Sequence, residues 1–96
     1  RGASGSAFSL KIGVSNSADP LTTPHLTILS NGNVGIGITS PTAKLDVNSD
    51  ILRLRTAKTP ATAGASGNVG DICWDSGFLY ICVATNTWKR SALSTW

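Results

Sequence analysis

The chain has 96 residues, a net charge of +3 and only 14% charged side chains. A single chain of this size buries about 60–65% of its unfolded surface, so its own core is thin and association with further copies is a natural supplement. No apolar run reaches the roughly 18–20 residues of a membrane span. The lack of such a run argues against membrane insertion, and the 8 Lys and Arg, scattered rather than gathered in a basic stripe, argue against nucleic acid as a partner.

Glu, Gln and Met, all strong helix formers, are absent, whereas Ser and Thr together make up 23 residues and Gly another 10. This mixture suits short strands and tight turns, so the expected class is all-β. The sequence opens at Arg1 and contains no methionine; it reads as a piece of a longer protein.

Residues 1–7 look like a lead-in. Phe8, Leu10, Ile12 and Val14 alternate with polar residues and predict a strand over 8–14. Turn chemistry with two prolines fills 15–24. A second strand is expected over 25–29, followed by Asn31-Gly32, which predicts a two-residue type I′ hairpin. The return strand, 33–38, alternates Gly and aliphatic residues. That pattern implies close approach of a backbone or a neighbouring chain on the Gly side. Strands are expected next over 43–47, with Leu45 and Val47 inward, and over 51–55, with Arg53 and Arg55 opposite Leu52 and Leu54.

Residues 56–67, rich in Ala, Thr, Gly and Ser, read as a linker between a β segment, 1–55, and a C-terminal β-hairpin domain, 68–96. In the latter, strands 71–75 and 78–84 flank Ser76-Gly77, and a third strand follows over 88–93. The tetrapeptide Gly-Asn-Val-Gly recurs at 32–35 and 67–70, leading into a strand each time.

Reactive chemistry is sparse. One His and two Cys without a CxxC spacing make no metal site, and no cofactor motif is present. His25 reads as a strand-edge residue. Asp71 and Asp75 bracket a strand about 13 Å apart by strand rise, wider than a glycosidase pair needs. Cys73 and Cys82 lie on opposite arms of one hairpin, where a bridge demands particular geometry. What stands out is aromatic. Trp74, Tyr80, Trp88 and Trp96 crowd the last quarter, and aromatic faces stack on sugars. Trp74 and Trp88 also suit a hairpin core, whereas Tyr80 and Trp96 are better placed for a surface. The ligand-contact candidates are Tyr80, Asn86, Trp88 and Trp96.

Two stretches carry a resemblance. Residues 26–47 contain NGNVGIGxTSPxAKLDV, with Ile38 where Thr is expected, and resemble a segment of phage tail fibres and related trimeric fibres. Residues 70–93 resemble the small domain that ends many phage fibre proteins. The resemblance implies short antiparallel strands and hairpins intertwined as a homotrimer around a threefold axis. Val34, Ile36, Leu45, Val47, Leu52, Leu54 and Trp74 are the axis or core candidates. It implies a location on a virion tail fibre or an extracellular, cell-surface fibre. The expected function is a distal tip, without enzymatic activity or cofactor, that adheres to a glycan or another envelope component of a target bacterium. The alternative is a structural cap that registers three chains and seeds folding. Folding in a reducing cytosol implies free thiols at Cys73 and Cys82.

Overall fold

The computed structural model describes residues 9–12 and 25–96, with Ser9 and Lys11 described in their backbone alone. The lead-in 1–7, the ends of the first expected strand at Phe8, Gly13 and Val14, and the turn 15–24 lie outside the described residues. The described residues form strands, turns and irregular segments without a helix, as the composition predicts. The chain divides into two compact units, Arg1–Leu52 and Arg53–Trp96.

The first unit holds β1 (Ser9–Ile12), β2 (Leu26–Leu29), β3 (Val34–Ile36) and β4 (Leu45–Val47), in the spatial order β1-β2-β3-β4. The first two pairings are antiparallel and the third is parallel, Val34 facing Leu45 and Ile36 facing Val47. The hairpin between β2 and β3 differs from the two-residue expectation. The Leu29 N–H donates to the Asn33 carbonyl and the Gly32 N–H to the Leu29 carbonyl. Of Asn31 and Gly32, Gly32 alone has positive φ, +91°. The loop is therefore the three-residue kind, a tight turn closed by a left-handed glycine.

The parallel pairing demands a crossover, here residues 37–44, and it determines which face of the sheet is covered. Register places Thr27, Gly35 and Asp46 on one face. Pro41 of the crossover is buried, as are Thr27 and Gly35. A Cβ on Gly35 would stand 2.6 Å from the Ile38 carbonyl oxygen and 3.2 Å from Pro41 Cγ. The bare side of Gly35 is thus filled by the chain's own crossover, the backbone alternative of the two that the Gly pattern leaves open. The connection is fastened by Asn33 Nδ2 donating to the Pro41 carbonyl and by the Thr42 N–H donating to Asp46 Oδ2.

The opposite face carries Leu10, Ile12, Leu26, Ile28, Val34, Ile36, Leu45 and Val47 by register. All eight are aliphatic, and Leu10, Ile12, Ile36 and Leu45 are each 45–57% exposed. Leu45 and Val47, expected to point inward, lie on this open face. The unit buries a threonine and displays its aliphatic side chains, the inverse of an ordinary sheet.

The second unit holds β5 (Ile72–Trp74), β6 (Phe78–Ala84) and β7 (Thr87–Ala92), antiparallel throughout, with a register shift between Cys82 and Ala84. Tyr80, Cys82 and Trp88 form its core, with Ala65, Cys73 and Phe78 packed against them. Cys73 pairs with Tyr80 across the sheet, so Cys82 is its diagonal neighbour, and both thiols are free. The other face carries Ile72, Leu79 and Ile81, each 39–53% exposed, together with Trp74 and Lys89.

The strand expected over 51–55 does not form. These residues join no ladder; Leu52 is 75% and Leu54 47% exposed.

Two substitutions test the covered face of the first unit. Thr27 Oγ1 is buried without a hydrogen-bond partner among the described residues, so Thr27→Val should leave the thermal midpoint unchanged or raise it. Gly35→Ala should lower stability by about 1–3 kcal/mol through overpacking. Denaturant melts of both variants beside the parent check the pair.

Candidate functional site

Residues 53–67 are tied along the second sheet by main-chain hydrogen bonds. The Lys58 N–H donates to the Trp74 carbonyl on β5, and the Trp88 N–H on β7 donates to the Ala63 carbonyl. The segment therefore crosses from the outer edge of β5 to the outer edge of β7, over Tyr80 of the central strand. Its end is held by Asn86. The Asn86 N–H donates to the Gly67 carbonyl, and the Gly67 N–H donates to Asn86 Oδ1 at 3.0 Å. Asn86 itself has φ of +54°, tolerable for this residue type in a tight turn.

Two indoles clamp this strap. Trp74 Nε1 donates to the Leu54 carbonyl at 2.7 Å, and Trp88 Nε1 donates to the Ala65 carbonyl at 3.1 Å. Trp88 lies so close to Gly67 that a Cβ there would meet its ring at 2.7 Å. A bare glycine at this point lets the strap lie flat on the aromatic ring.

Asp75 locks the other side. Its Oδ1 accepts the N–H groups of Gly77 and Phe78 at 2.9 Å each. Its Oδ2 accepts the Thr59 hydroxyl of the strap and the Tyr80 hydroxyl of the core, both at 2.6 Å. These bonds favour the ionised carboxylate, Thr59 most and Tyr80 next, and lower the Asp75 pKa to about 2. The Tyr80 hydroxyl is raised above its ordinary value, chiefly because ionisation would break its bond to Asp75.

Between the strap and β7 lies a groove of about 270 Å³, lined by residues 60–63 on one side and by Tyr80, Trp88, Lys89 and Arg90 on the other. Register puts Arg90 on the strap-covered face with Tyr80, and Lys89 on the opposite face with Ile81. The Arg90 guanidinium lies 4.0 Å from the Phe78 ring centroid, a cation–π contact. A second hollow of about 310 Å³ is formed by Arg53, Leu54, Arg55 and Trp74. Among the described residues no three His, Cys, Asp or Glu side chains converge as metal ligands.

The structure scatters the expected contact residues. Tyr80 is 4% and Trp88 8% exposed. Tyr80, expected at the surface, is instead a core residue, because its hydroxyl finds a buried-side partner in Asp75. Trp88 fills the core alternative while still lining the groove. Asn86 is exposed, but its Oδ1 is committed to Gly67. Trp96 is fully exposed. Of the axis or core candidates, Val34, Ile36, Leu45 and Val47 share the open aliphatic face. Leu52 and Leu54 are exposed, and Trp74 is half-buried. Residues 59–63 and Arg90 escaped the sequence reading as parts of a site. The Asp-Ser-Gly turn signal was visible, but nothing in it announces that Asp75 also reaches Thr59 and Tyr80.

Known proteins bear on this chain. The capsule K30/K69-specific depolymerase 1 of Klebsiella phage K5-2 is 68% identical over 41 residues, 43% of this chain and 5% of that protein. The capsule K30/K69-specific depolymerase of Klebsiella phage K64-1 is 45% identical over 56 residues, 58% of this chain and 7% of that protein. The chain thus spans less than a tenth of the length of these curated relatives. No family model and no solved structure matches. The chain is similar to phage proteins, as the fibre resemblance implies. Both relatives are named depolymerases, which are enzymes, and this overturns the expectation of a protein without enzymatic activity.

Asp75 and Trp88 give two predictions. The lowered Asp75 pKa contributes stability in full above its unfolded-state value. That contribution should fade as pH falls from about 4 towards about 2. Thermal melts across this window should show the loss in the parent and a flatter profile in Asp75→Asn. Trp88→Ala should cost about 3–5 kcal/mol, as much as a core this small supplies. Near-ultraviolet circular dichroism should then show the second unit unfolded.

Proposed function

We propose that this chain is part of a virion-borne phage fibre or spike that acts on capsular polysaccharide, and that it contributes to recognition of that polymer. The observation that carries the reading is the similarity, over about half the chain, to two capsule K30/K69-specific depolymerases. An all-β unit with an aromatic-floored groove on its surface supports it, since sugar polymers are held in such grooves by apolar contact and hydrogen bonds.

The assembly proposed is a homotrimer. The aliphatic face of the first unit and the face of the second unit around Ile72, Leu79 and Ile81 exceed what a monomer usually exposes. Further copies of the chain cover them, and three copies fit the fibre resemblance. Three identical grooves engaging one polymer then raise the avidity of weak single-site contacts. The same aliphatic face favours a second reading, in which the chain's main task is to register three strands and seed folding.

Light scattering on a sizing column should give a mass near three chains, roughly 30 kDa from 9.9 kDa each. Leu45→Glu should shift it towards one chain. The trimer should be retained on immobilised K30 or K69 capsular polysaccharide and pass through neutral dextran. Passage through both would refute the recognition reading, and a trimer that fails this test would leave the folding cap.

A further inference from the structure

We propose that the groove between the strap and β7 binds a carboxylate-bearing sugar unit, with Arg90 as its ion-pairing residue. The inference deepens the capsule reading above and rests on it.

Three observations converge. First, no acidic side chain lines the groove. The carboxylate nearest in the network, Asp75, is committed to Thr59, Tyr80, Gly77 and Phe78. The Arg90 guanidinium stacks on Phe78 and lies beside the Tyr80 hydroxyl, which it also helps to hold. A guanidinium carries five in-plane N–H donors, and those not turned to Tyr80 match a carboxylate in a two-pronged arrangement.

Second, the strand edge adds a backbone donor. The Trp88 N–H points outward to Ala63. Along a strand, residues two apart direct their N–H groups the same way. The Arg90 N–H therefore faces the same outer edge, beside the groove. That donor lies on the side of residues 60–63, whereas the guanidinium turns over β6 to Phe78, so the groove has a donor on its strap side and a cation on its sheet side.

Third, the remaining lining suits a sugar ring rather than a bare anion. Pro60, Ala61 and Ala63 offer small apolar surface beside the edge of Trp88. The Thr62 hydroxyl accepts from the Gly64 N–H at 3.2 Å, which leaves its own proton for a ligand oxygen. A cation, small apolar surface and a hydroxyl lining one groove suit a uronic acid better than a phosphate. The volume of about 270 Å³ accommodates a short saccharide, not a large ligand.

The test is a nitrogen-15 NMR titration of the 96-residue chain with a hyaluronan tetrasaccharide, which carries glucuronic acid, and with the neutral chitotetraose. An oligothymidylate of equal charge serves as a third probe. The uronate should move the resonances of residues 60–63, the Trp88 indole and Arg90, and the neutral sugar should bind more weakly. Arg90→Gln, checked for folding by circular dichroism, should weaken uronate binding about tenfold. Raising the salt from about 0.05 M to about 0.5 M should weaken the parent's binding. Uronate shifts elsewhere, equal binding of the oligothymidylate, or an Arg90→Gln variant that binds like the parent would each overturn the proposal. Retention on K30 or K69 polysaccharide is measured on the same variant. If retention is unchanged, the groove assignment fails and the capsule reading stands; if the parent is not retained either, both fail.

Discussion

A β-sheet has two faces, and among the described residues each of the two units lays additional chain over one of them. In the first unit the cover is the crossover 37–44, which puts Pro41 against Gly35 and seals Thr27 beneath it. In the second it is the strap 53–67, laid over Tyr80 and Trp88. Opposite the covers lie eight aliphatic side chains by register on the first sheet, and on the second Ile72, Leu79 and Ile81 beside Trp74 and Lys89. Water bounding that much apolar surface is unfavourable at about 25 cal/mol per Å², and so the uncovered faces, more than any loop, point to assembly.

The two covers are held in a particular way. The strap carries few large apolar side chains, so burial alone cannot fix it. Instead it is fastened by polar bonds at intervals: the Trp74 indole at Leu54, Asp75 at Thr59, the Trp88 main chain and indole at Ala63 and Ala65, and Asn86 at Gly67. Trp88 serves both needs, filling the thin core with its ring and using its N–H to hold a backbone carbonyl. Asp75 does the same for a turn, a strap and a core phenol at once. Because these bonds consume the carboxylate, the neighbouring guanidinium of Arg90 lies on the Phe78 ring and lines the groove without a carboxylate of its own among the described residues. The chemistry of the candidate site follows from how the fold is fastened.

Period-two alternation and turn residues were enough to find most strands. Phe78, Tyr80 and Cys82 alternate as a buried face, and Asn31-Gly32 marks a real reversal. Alternation carries no information on strand direction, so the parallel pairing of β3 with β4 was invisible. Nor does it say which face is covered. Leu45 and Val47 looked inward because they are apolar, yet their face is the open one. Residues 51–55 alternate well but have no neighbour to pair with, and alternation without a ladder is not a strand.

The sequence by itself determined the all-β class, the places where the chain turns, and the low charge. These are local properties, set by side-chain shape, by φ preferences and by composition. The tertiary structure alone decided that Gly35 receives Pro41 and that Gly67 receives the Trp88 ring. It alone decided that Tyr80 turns inward to Asp75, and that residues 60–63 form one wall of a groove with Arg90 at the other. Each of these joins residues that the folding of a turn, a crossover or the strap brings together. Such contacts depend on where the backbone returns, and a local pattern of side chains does not encode that return.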